Sequence, residues 1–237
     1  MKSPGRAPRL PVESCRRGPV SGFSLVELMM VVIIVLIVAG TAIPYIASSI
    51  HTAHLRGAAS DLASLLEQNR IIAIRDNRYY STYILAASGN TPQEAYVDVY
   101  PASATGPTGG NGGTGVASAS SYPPGDPVIP LNSDVTPQAA SSAPNTSNLQ
   151  SQLLPSTTSV TPVDTTVTPA TFGPRGLPCT PITVTTGGPK VCDSSGGPTA
   201  YWTFLQSSTT GAWQAVTITP AGRIRKWFYN GTTWSKM

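Results

Sequence analysis

The chain has 237 residues, with Lys+Arg 15 against Asp+Glu 11, a formal charge of +4 and a pI of about 9.1. Only 11% of residues are charged, against about a quarter in an ordinary soluble domain, and glycine (22) and proline (23) are abundant. That composition excludes a long coiled coil, an all-helical bundle and an acidic tail protein, and allows one domain of ordinary size plus loops.

The charge is unevenly placed. Residues 1–22 hold Lys2, Arg6, Arg9, Arg16 and Arg17 against Glu13, so the whole excess lies there, and residues 23–237 carry ten bases and ten acids. Next, Leu28 to Ala47 is a run of twenty uncharged, mostly aliphatic residues. At about 1.5 Å per residue a helix of that length covers the roughly 30 Å hydrocarbon core of a bilayer. A buried core helix would show a polar stripe, which this run lacks. A membrane span is expected, with the basic head held in the cytoplasm and the remainder of the chain across the membrane. The alternative is a secretory signal peptide. Its apolar region is usually about 7–15 residues, and Ala39-Gly40-Thr41-Ala42 imitates its cleavage site only weakly. Cys15 has no apolar stretch ahead of it and does not read as a lipid-attachment cysteine.

Glu27 sits at the edge of the apolar run, where an unpaired carboxylate costs several kcal/mol. The stretch Gly22-Phe23-Ser24-Leu25-Val26-Glu27-Leu28 resembles the leader-peptidase site of type IV pilins and type II secretion pseudopilins. The resemblance implies cleavage after Gly22, methylation of the new Phe23 amine, and pairing of Glu27 with the amine of a neighbouring subunit. It also implies a helix kink at Pro44. The partners it implies are other pilin or pseudopilin subunits, the prepilin peptidase that is also the N-methyltransferase, and inner-membrane lipid. The carboxyl-terminal domain would be periplasmic.

Beyond the span, Leu55, Ala58, Ala59, Leu62, Leu65, Leu66, Ile72 and Ala73 recur at three- and four-residue steps, with Arg56, Asp61, Glu67 and Arg70 between them. The spacing predicts an amphipathic helix to Arg75, continuous with the span. The segment Asp61–Asn77 resembles the helix end of the GspH/FimT branch of that family. His51 and His54 stand three apart with no acidic or third ligand beside them in sequence, so solvated or headgroup-facing histidines are expected and no metal site.

Tyr79–Leu85 and Glu94–Tyr100 read as strands. Residues 101–166 turn to Gly, Pro, Ser, Thr, Asn and Ala, and this composition reads as a flexible insertion. Its Gly109-Gly110-Asn111-Gly112-Gly113 tract lacks the Lys-Ser/Thr of a phosphate loop. Strands follow at Thr171-Phe172, Ile182–Thr186, Tyr201–Gln206, Trp213–Thr219 and Ile224–Tyr229, with a tight hairpin at Asn230-Gly231. The expected fold is α+β and pilin-like: a leader at 1–22, a helix over 23–78, and a β-rich antiparallel domain over 79–237 packed on the helix. Cys179 and Cys192 flank one strand. In an oxidising periplasm they form a disulfide; two free thiols are the alternative.

The last motif is Gly222-Arg223-Ile224-Arg225-Lys226-Trp227, in a tail free of acids beyond Asp193. Arg223, Arg225 and Trp227 alternate onto one strand face, a pattern suited to phosphates with an aromatic to stack on a base. The stretch resembles the Gly-Arg-x-Arg motif of FimT-like minor pilins that bind DNA in natural transformation. A solvated edge strand is the competing reading. Three uses of an assembly subunit therefore compete: secretion pseudopilin, minor pilin and DNA-uptake subunit. A membrane-anchored enzyme is the remote alternative, since residues 79–237 hold no histidine and no paired acids for a catalytic set. No cofactor is expected.

Overall fold

The computed structural model describes residues 22–85, 93–99, 126–154, 160–183, 190–192 and 199–237. Residues 1–21 of the expected leader, residues 101–125 and 155–159 of the insertion, and Tyr100 and residues 184–186 of two expected strands lie outside the described residues. In chain order the first elements are helix α1 (Leu25–Asp76), strands β1 (Tyr80–Leu85), β2 (Glu94–Asp98), β3 (Val128–Pro130) and β4 (Val135–Gln138), and helix α2 (Thr146–Leu153). Strands β5 (Val163–Asp164), β6 (Ala170–Phe172), β7 (Pro178–Cys179), β8 (Pro181–Thr183) and β9 (Lys190–Cys192) follow. The chain closes with β10 (Tyr201–Ser207), β11 (Trp213–Ile218), β12 (Ile224–Tyr229) and β13 (Trp234–Lys236). The fold is α+β, a long apolar amino-terminal helix followed by an antiparallel β-sheet region.

The first compact unit runs to Tyr45. Its described side chains are all exposed, from Phe23 through Val38 and again at Tyr45, and they are overwhelmingly aliphatic. An 18-residue window of α1 reaches a mean hydropathy of 2.7 with none of it buried, so this helix is long and apolar enough to cross a membrane. A contiguous apolar surface of that size marks contact with lipid or with other protein.

The second unit begins at Ile46. Here α1 shows the expected periodicity: Leu55, Ala58, Ala59, Leu62, Leu65, Leu66, Ile72 and Ala73 are buried, Arg56 and Asp61 between them are exposed, and Glu67 and Arg70 are half-buried. The helix stops where Asn77 takes a left-handed φ of 53°. The Arg78 amide then donates to the Ala73 carbonyl (3.1 Å) and the Asn77 amide to that of Ile74 (3.3 Å), the two bonds of a Schellman end.

Two sheets share the helix. One has the order β3-β2-β1-β6-β7; the other has β13-β12-β11-β10-β4, with β5 adding to β10 in parallel; β8 and β9 form a separate hairpin. The α1 face packs on Tyr80, Ala95, Val97 and Phe172 from the first sheet and on Val135, Tyr201, Leu205, Val216 and Ile218 from the second. Strand alternation sends Trp202, Phe204, Ala215, Trp227 and Trp234 to the opposite face of the second sheet, where they close over Leu149 of α2. The second sheet is thus buried on both faces, by α1 and by α2.

Residues 126–154 and 160–166 depart from the expected flexible insertion, because they supply β3, β4, α2 and β5. Few apolar residues suffice when each is used: Leu131 and Val135 enter the α1 core, Leu149 the tryptophan core, and Leu153 and Leu154 pack with Ala200. The three acids of the segment act as anchors. Asp126 accepts the Val99 amide (3.1 Å), Asp164 accepts the Ala140 amide (2.6 Å), and Asp134 reaches the histidines of α1 (2.6 and 3.1 Å).

The hairpin after β12 also differs from the two-residue turn expected of Asn-Gly. Tyr229 pairs with Trp234, so the loop has four residues, and the Asn230 side chain accepts the amides of Thr232 (2.9 Å) and Thr233 (2.8 Å). The side chain takes over one of the two bonds of a tight turn, while the Asn230 amide still donates to the Thr233 carbonyl (3.2 Å), with Gly231 at φ 96°.

Candidate functional site

Among the described residues, three groups have chemistry that the core does not absorb. The first is at the start of α1. Phe23 is 80% exposed, and Gly22 has open space around it. The first helical hydrogen bond runs from the Leu28 amide to the Ser24 carbonyl (3.1 Å). Glu27 therefore lies in the first helical turn, exposed, where the helix dipole favours an anion. It has no ion-pair or hydrogen-bond partner among the described residues. The Pro44 backbone is inside α1, and its side chain lies outside the described residues, as does any kink attributed to it.

The second group is the basic tail. Gly222 closes the β11–β12 turn at φ 75°, its amide bonded to the Thr219 carbonyl (2.8 Å). Arg223 follows in the turn, its amide donating to Thr219 Oγ1 (3.1 Å), and Arg225 lies in β12 opposite Thr217. Lys226 points to the other face, where its Nζ donates to Ser60 Oγ on α1 (2.9 Å). Arg223, Arg225, Lys226 and Lys236, with Ala63, Ile224 and Met237, line an open groove of about 430 Å³. Lys236 was not singled out by the sequence, although the acid-free basic tail was the signal for it.

Trp227 corrects the expected stacking platform. It is 2% exposed and belongs to the tryptophan core, and its Nε1 donates to Thr217 Oγ1 (2.8 Å). Alternation does put it on the face of Arg225, but α2 and Trp234 cover that face beyond the arginine. Cation and aromatic are thereby separated, and Trp227 is unavailable to a base.

The third group was missed. His51 and His54 of α1 meet Asp134, from the turn between β3 and β4. The Asp134 Oδ2 lies 2.6 Å from His51 Nδ1 and 3.1 Å from His54 Nδ1, and the two rings stand edge to face. Burial works to raise the Asp134 carboxyl, but the hydrogen bonds from His51 and His54 outweigh it and hold the group below the usual carboxylate range. A sequence separation of 83 and 80 residues hid this acid from any spacing argument.

Cys179 of β7 and Cys192 of β9 are joined as a disulfide, 13 residues apart. The Tyr201 hydroxyl donates to the Cys179 carbonyl (2.6 Å), and burial pushes that hydroxyl well above its ordinary range.

No family model, no curated protein and no solved structure matches the chain.

Proposed function

We propose that the chain is a pilin-like assembly subunit of the GspH/FimT kind. It is made with a cytoplasmic leader, cut after Gly22 by a prepilin peptidase, methylated on Phe23, and incorporated into a type II secretion pseudopilus or a type IV pilus. Its amino terminus starts in the cytoplasm, and its β-rich domain lies in the periplasm. The observation that carries the reading is Glu27, an exposed acid in the first turn of an apolar helix, four residues after Phe23, with no partner among the described residues. A carboxylate at that depth costs about 2–3 kcal/mol or more unless a cation meets it, and the amine of a neighbouring Phe23 is such a cation. The exposed aliphatic surface from Leu25 to Val38 suits lipid before assembly and helix packing after it.

The reading is tested by Glu27→Ala. Membrane insertion stays normal, because removing a charge favours the apolar phase. Incorporation into filaments drops by about tenfold or more, the equivalent of losing one buried ion pair of about 1.4 kcal/mol or above. Normal incorporation of the variant would refute the pairing.

A second reading, a DNA-uptake subunit, is favoured by the groove whose side chains include four cations and no acid. Phosphate contacts alone would support non-specific binding there.

A further inference from the structure

We propose that His51, His54 and Asp134 form a binding site for a divalent cation of the zinc class, which ties α1 to the turn between β3 and β4. The proposal does not rest on the filament reading.

Two imidazoles and a carboxylate are a donor set that first-row divalent metals take, zinc foremost. The potential ligand atoms of all three residues lie within 4.8 Å of one another. Ligands about 2.0–2.2 Å from a zinc ion are at most about 4.4 Å apart, so small side-chain rotations bring the three into range. The scaffold permits those rotations while holding the carboxylate. His51 and His54 are one helical turn apart on the same face of α1, with side chains 28% and 43% exposed. The Asp134 side chain is only 14% exposed, and its backbone is fixed: its carbonyl accepts the Ser208 amide (2.8 Å) and Ser208 Oγ (3.2 Å), and β4 beside it pairs with β10.

One oxygen, Asp134 Oδ2, serves both imidazoles. That convergence of two nitrogens on one anionic oxygen is a cluster a cation can replace, since a metal ion would neutralise the carboxylate and accept both lone pairs. Three protein ligands leave a fourth position for water. The disulfide removes Cys179 and Cys192 as competing thiolates.

The experiment uses the full-length chain in detergent micelles without a polyhistidine tag, carrying Cys15→Ser to remove the remaining thiol, and stripped with a chelator. It is titrated calorimetrically with zinc chloride. The expected result is one zinc ion per chain, with affinity lowered by more than about tenfold in His54→Gln and in Asp134→Asn, a loss at least as large as that of an outer-shell partner. Cobalt(II) added in place of zinc should give the visible ligand-field bands of a low-coordinate nitrogen and oxygen site. His54→Gln alters a half-exposed side chain, so it reports on binding even if Asp134→Asn fails to fold. Absence of stoichiometric zinc binding by the folded parent would overturn the proposal. So would equal affinity in parent and His54→Gln.

Discussion

At the residue scale, Gly222, first in the Gly-Arg-x-Arg stretch, has a steric requirement that is independent of any ligand. At φ 75° a Cβ would lie 2.7 Å from the Gly176 carbonyl oxygen, the same oxygen that accepts Arg70 Nε at 3.1 Å. Gly176 is itself at φ 69°, with no room for a Cβ against Ile74. The two glycines and Arg70 together clamp the end of α1 to the β11–β12 turn. Gly222→Ala should therefore lower stability by about 1–3 kcal/mol through backbone strain, and more where the clash forces the turn apart. Gly211→Ala is the control, because Gly211 has a similar φ of 68° but open space around it. Denaturant unfolding of both variants checks this, and a loss at Gly222 no larger than at Gly211 would contradict the clamp. Phe23 and Glu27 are singled out by a contiguous motif, and the structure places both exposed at the start of α1. Asp134 was not legible, since its approach to His51 and His54 follows from β4 pairing with β10, a contact that no spacing encodes. Trp227 was misread because alternation says which residues share a face and not whether that face is covered.

At the element scale, α1 was the most legible, its uncharged run and its later three- and four-residue periodicity both appearing in one helix. The insertion was the least legible. Its low apolar content reads as disorder, yet α2 buries just Leu149, against three tryptophans and a phenylalanine supplied from elsewhere in the chain, and Leu153, against Ala200. The β11–β12 hairpin carries the nucleic-acid question. Its groove places Arg223 and Arg225 beside Lys226 and Lys236, with Trp227 excluded. If the groove contacts phosphates, Arg223→Ala together with Arg225→Ala weakens DNA retardation by the full chain uniformly across sequences. The same pair should reduce the salt slope by about one per cation removed. A slope unchanged by the double variant would assign the arginines to a solvated strand. Trp227→Ala is a poor probe of stacking, because it opens the core between the second sheet and α2.

At the scale of the whole molecule, the order of parts was readable: an apolar helix, its amphipathic continuation, and an antiparallel β region. The division of that region into two sheets sharing one helix, with α2 closing the back of the second, was not. It depends on strands far apart in sequence, such as β1 with β6 and β4 with β10. The net charge of +4 belongs to residues 1–22, and the side chains that follow sum to zero. On the proposed reading, removal of residues 1–22 would take the whole excess with it and leave side chains of no net charge. The central claim, that this is a processed assembly subunit, is tested most directly by mass spectrometry of the protein extracted from membranes. The account predicts a mature chain that begins at N-methyl-Phe23, and a membrane-resident chain that retains residues 1–22 would contradict it.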